Sequence, residues 1–145
     1  MKRLLLIIAL IAAIATGAQA RDSYSHDDSV LPQAAKSVLA SNFKASVTLV
    51  KTDKDFGRVS EYEVILADGT EVKFDKSGNW KSVETAKSKS VPSAMVPAKI
   101  SEYTAKNQKG ARIIGIEKER KGYEVELSNG IDMKFDTQGN FVKFD

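Results

Sequence analysis

The groups available for chemistry in this chain are few. It has one histidine, His26, and no cysteine. General acid–base work falls most often to histidine, and nucleophilic work to serine or cysteine beside a base. A serine–histidine pair would have to use His26, which stands in a polar stretch ahead of the first helical pattern. Thiol catalysis, cysteine-ligated zinc and iron–sulfur clusters are excluded by composition. Carboxylates remain, among them Glu63, Glu71, Glu124 and Asp132. They alternate along extended segments and have lysine neighbours, which is the pattern of a solvated sheet face. The reading is that the chain is not an enzyme and has no catalytic residue and no cofactor.

Two loops carry part of a calcium-loop pattern: Asp75-Lys76-Ser77-Gly78-Asn79 and Asp136-Thr137-Gln138-Gly139-Asn140. A calcium ion takes about 6–8 oxygens, several of them carboxylate. Each loop offers one carboxylate and one amide. The spacing suits a turn better, with the aspartate at its first position and glycine at its fourth. Asp75 and Asp136 are therefore the metal positions of an alternative, a calcium-responsive or small-ligand sensor. The leading reading contains no metal.

The elements that position these residues begin after residue 20. Lys2 and Arg3 precede an apolar run, Leu4 to Ile14, and Ala18-Gln19-Ala20 is a small-x-small site. That order is a secretory signal peptide cleaved after Ala20, and the run is short of the ~20 residues a spanning helix needs. A mature chain starting at Arg21 has twenty basic against nineteen acidic groups. Its near-neutral charge gives no electrostatic reason to bind nucleic acid or anionic lipid. The expectation is a periplasmic or secreted monomer with no stable membrane anchor.

Residues 62–83 and 123–144 align without a gap, with ten identities at an offset of 61. A looser match upstream sets Leu31-Pro32 against Val96-Pro97, and Ala35, Val38 and Leu39 against Ile100, Tyr103 and Thr104. The expected organisation is a disordered lead (21–28), a first unit (29–84), a linker (85–95) and a second unit (96–145). Each unit opens with a helix, the prolines in its first turn. A strand follows near Val47–Lys51 and near Arg112–Glu117.

The next hairpin can be set in register. Tyr62, Val64 and Leu66 form one apolar set and Val72 and Phe74 another, and paired residues share a face. A two-residue loop breaks that rule. A three-residue loop, Ala67-Asp68-Gly69, pairs Val64 with Val72 and Tyr62 with Phe74, and needs a left-handed residue at Gly69. Ser128-Asn129-Gly130 repeats the solution. In the last hairpin Phe74 pairs with Trp80 and Phe135 with Phe141.

Leu-Pro or Val-Pro, Tyr-Glu-Val-x-Leu, the Asp/Asn-Gly turn and Phe-Asp-x-x-Gly-Asn-Trp/Phe together resemble the PepSY-like, β-lactamase-inhibitor-like family over about residues 30–145. The resemblance implies an α+β fold: one eight-stranded antiparallel sheet shared by two helix-plus-four-strand units, both helices on one face. It supplies no catalytic residues. Strict alternation then turns Glu61, Glu63, Ile65, Glu71, Lys73, Lys81 and Val83 to the open face. From the second unit it adds Glu124, Glu126, Asp132, Lys134, Val142 and Phe144. The expected contact surface for an exported protein or peptide is Glu63, Ile65, Lys73, Lys81, Val83, Glu124, Lys134, Val142 and Phe144. Apolar anchors among charges suit such recognition.

Overall fold

The structure is a computed structural model that describes residues 22–145. The signal peptide expected at residues 1–20 lies outside the described residues. The chain folds as an α+β protein with one antiparallel sheet of nine strands, ordered as they occur along the chain. Strands and helices run β1 (Ser23–Ser25), α1 (Gln33–Asn42), β2 (Val47–Asp55), β3 (Arg58–Leu66), β4 (Glu71–Asp75), β5 (Trp80–Glu84), α2 (Ala98–Asn107), β6 (Ile113–Glu119), β7 (Gly122–Leu127), β8 (Asp132–Phe135) and β9 (Phe141–Phe144).

The ninth strand corrects the expected eight. It comes from the segment read as a disordered lead. Ser23, Tyr24 and Ser25 pair with Thr52, Lys51 and Val50 of β2. The Asp22 carboxylate adds an ion pair to Lys51 at 3.3 Å, and His26 Nδ1 lies 3.3 Å from the Thr48 carbonyl oxygen. The free edge of β2 supplies hydrogen bonds that composition does not advertise. The stretch read as a linker is likewise packed. Val91 and Met95 join the core, and the Thr85 and Val91 amides donate to the carbonyls of Ile114 and Ile113.

Each helix lies over the sheet face that carries the apolar sets. Ala35 and Leu39 of α1 and Ile100 of α2 are buried with Val64, Val72, Phe74, Ile116, Val125, Met133 and Phe135. Pro32 and Pro97 stand one position earlier than expected, as N-caps.

The β3–β4 and β7–β8 hairpins have the registers argued from the sequence: Val64 faces Val72, Tyr62 faces Phe74, Val125 faces Met133 and Tyr123 faces Phe135. Gly69 and Gly130 both take φ of +85°, the left-handed step such a loop needs.

The β4–β5 and β8–β9 hairpins depart from strict alternation. Phe74 faces Trp80 and Lys73 faces Ser82, so Lys81 is an extra residue in a bulge. Phe135 faces Phe141 and Lys134 faces Lys143, so Val142 is the extra residue there. An inserted residue changes the parity of all that follow. Val83 thus faces Val72 on the helix side and is 1 % exposed. Phe144 faces Met133 on that side too. Neither belongs to the open face as expected.

Candidate functional site

The open face can be read as cross-strand rows. One row runs Lys51, Glu63, Lys73, Ser82, Glu117, Glu124, Lys134, Lys143 from β2 to β9. Opposite charges face each other at its start, as stable pairing favours. Beside it, Lys81 bonds Glu61, and Lys73 lies 4.0 Å from Glu61 and from Glu71. The alternation fails where Glu117 meets Glu124. There the Lys134 ammonium sits 3.7 Å from each of Glu119, Glu124 and Asp145. Burial raises the Glu124 pKa, and the adjoining Glu119 carboxyl raises it further. The Glu124 charge first, with Glu119 and Asp145, holds Lys134 above the usual lysine range.

A second row runs Ile65, Glu71, Glu84, Gly115, Glu126, Asp132. It is acidic apart from Ile65 and Gly115. Gly115 leaves room for its neighbour, since a Cβ there would sit 3.3 Å from the Glu126 Cβ. Burial, then the charge of Glu63, pushes the Glu71 pKa up to about 7. The nine residues expected to form one contact surface therefore divide. Glu63, Ile65, Lys73, Glu124 and Lys134 lie on this charged face, with Lys81 in the bulge beside it. Val83 is core. Val142 and Phe144 sit at the C-terminal edge.

That edge is apolar. Val142 is 58 % and Phe144 52 % exposed. Phe141 stacks on Tyr103 of α2 at 4.5 Å, and Phe144 lies 4.9 Å from Phe141. Between α2 and the β8–β9 turn runs an open groove of about 610 Å³, lined by Lys99, Glu102, Tyr103, Lys106, Asn140 and Phe141 among others. β9 is the last strand in the sheet order.

Two features went unseen in the sequence. Phe56, at the β2–β3 tip, is fully exposed and holds φ of +50°, alone among described non-glycine residues in the left-handed region. Lys118 places its ammonium 3.6 Å from the centre of the Trp80 ring, tying β6 to β5 on the helix side.

The two aspartate turns close on themselves. Asp75 Oδ1 accepts from the amides of Ser77 (2.8 Å) and Asn79 (3.0 Å), and Oδ2 accepts from Asn79 Nδ2 (3.1 Å). Asp136 accepts the same three bonds from Gln138, Asn140 and Asn140 Nδ2. The Asn140 side chain first, then its backbone amide, holds the Asp136 pKa below the usual range. Each carboxylate is occupied by its own turn.

Comparison with known proteins places the chain. Residues 60–143 match the family described as "Putative beta-lactamase-inhibitor-like, PepSY-like", and the chain belongs to that family. Its fold recurs in a crystal structure of a protein from Bacteroides vulgatus described as a putative periplasmic protein of unknown function. The identity is 37 %, the TM-score 0.80, and the match covers 86 % of this chain and 99 % of that one. It recurs in a protein of Bacteroides thetaiotaomicron described as a putative calcium-regulated periplasmic protein, at 38 % identity and TM-score 0.78, over 86 % of this chain and 96 % of that one. Among curated proteins none matches. The solved structures support a periplasmic location. No helix among the described residues is long and apolar enough to cross a membrane.

Proposed function

We propose that this is an exported, non-enzymatic binding protein, released by cleavage after Ala20, whose C-terminal sheet edge holds a segment of another exported protein or a peptide. Two copies of one helix-and-strands unit build it, each with the same turn and the same bulge. The observation that carries the binding reading is the exposure of Val142 and Phe144 on β9, beside the groove under α2. An outermost strand offers main-chain hydrogen bonds to an extended segment, and flanking pockets select its side chains. The open face contributes charge rather than apolar anchors, so its lysines and glutamates govern approach more than affinity. Capture of partners from envelope extract tests this. Phe144→Ala should reduce capture at least tenfold while Lys81→Ala retains it. Equal capture by both variants would refute the edge.

A second reading has its own observation. The Bacteroides thetaiotaomicron relative is described as calcium-regulated, and this chain holds a buried carboxylate oxygen on its open face, Glu124 Oε1, with no hydrogen-bond partner. In this reading calcium stabilises the sheet or gates the edge.

A further inference from the structure

We propose that Glu117, Glu119 and Glu124 form a binding site for a hard divalent cation, calcium foremost, on the open face of the sheet. The inference gives the calcium reading a location and rests on it.

The first argument is register. Glu117 and Glu119 alternate on β6 and so share a face, and Glu124 of β7 lies directly across from Glu117. Like charges opposite each other oppose pairing. The three side chains can each offer one oxygen such that all lie within 4.8 Å of one another. Calcium–oxygen distances are about 2.3–2.6 Å, so two ligand oxygens on opposite sides of one ion stand roughly 5 Å apart. The cluster therefore has the spacing one ion needs to reach all three.

The second argument is independent of the clustering. Glu124 is 4 % exposed, and its Oε1 lacks a hydrogen-bond partner. A buried carboxylate oxygen without a donor or cation is costly. Lys134 does not answer that need. It approaches the other oxygen, Oε2, at 3.7 Å, longer than an ammonium–carboxylate hydrogen bond. Lys134 is also shared with Glu119 and Asp145, and Lys143 is bound to Asp145 at 3.2 Å.

Ligand chemistry selects the ion. The donors are carboxylate oxygens without a nitrogen or sulfur ligand, which suits calcium, magnesium or manganese over zinc or copper. Magnesium demands near-ideal octahedral geometry, whereas calcium accepts irregular sets completed by water. Long glutamates on a sheet face suit the latter. The aspartate turns do not compete, because their oxygens are already engaged.

The test is calorimetric titration of the exported protein with calcium chloride after chelator treatment, alongside thermal melts with and without calcium. One ion per chain is expected, with a Kd on the order of 10⁻⁴–10⁻³ M as in extracellular modules, and calcium should raise Tm. Glu119→Gln, at an exposed position, should fold and weaken binding at least tenfold, and Glu124→Gln should do the same. Glu63→Gln, on the same face, should bind as the parent does. Calcium binding that survives Glu119→Gln and Glu124→Gln unchanged overturns this site and leaves the calcium reading standing. Neither heat nor a Tm change at 10-fold above that Kd range overturns both.

Discussion

Glu71 and Phe56 each hold a state their side chains do not prefer, and each makes a prediction. Burial first, then Glu63, moves the Glu71 pKa from 4.5 to about 7. Below pH 4.5 the carboxyl is protonated whether the chain is folded or not. Between the two values the folded chain holds a proton that the unfolded chain releases, so stability falls as pH rises through that window. Glu71→Gln should flatten the fall. At pH 8 it should exceed the parent by on the order of 1 kcal/mol, discounted from the full shift because the side chain is one-third exposed. Denaturant melts at pH 4 and pH 8 check this, with near-equality expected at pH 4. Phe56 sits at the first loop position of a two-residue turn between Asp55 and Arg58, followed by Gly57 at φ of +78°. Turns of this type favour Asn-Gly. Phe56→Asn should therefore raise stability by on the order of 1 kcal/mol, read from the same melts. A loss of stability would mean that the exposed ring has a packing role.

Among the elements, the hairpins divide by how far the rule of alternation can carry a reader. The three-residue loops at Gly69 and Gly130 were legible because Val64 with Val72 and Tyr62 with Phe74 allow only one register. The following hairpins were legible as far as Phe74 with Trp80 and Phe135 with Phe141. Beyond that, counting by two placed Val83 and Phe144 on the wrong face. The signal for the bulge was present: Trp80 and Val83, like Phe141 and Phe144, are three residues apart, an odd spacing that two core-facing strand residues cannot have without an insertion. Burial decides it, since Val83 gains a place between Val72 and Ile116. The strand at Ser23–Ser25 was not legible, because its pairing partner is a sheet edge and its own residues lack an apolar pattern. The Glu117–Glu119–Glu124 cluster escaped for another reason. Glu119 and Glu124 meet only once the β6–β7 register is known, and the weak pattern of β6 left that register open.

At the scale of the whole molecule, the described residues form one sheet, and the rows from Lys51 to Lys143 and from Ile65 to Asp132 run through its middle. At the seam Ser82, Val83 and Glu84 of β5 pair with Glu117, Ile116 and Gly115 of β6, and Lys118 covers Trp80. Cutting there exposes a central edge and the buried Val83, and small domains have little stability to spare. A fragment of residues 22–90 should show no cooperative melt near that of residues 22–145. A matching melt would make the halves independent domains. The same continuity leaves β9 as the long-range end of the sheet, where apolar side chains and strand edge coincide. The most direct test of the binding account places a photo-reactive phenylalanine analogue at position 144, and separately at position 81, in the exported protein within its own cell envelope. The account predicts a discrete crosslinked adduct from position 144 and none from position 81. Adducts from position 81 with none from position 144 would contradict it and return the contact surface to the open face.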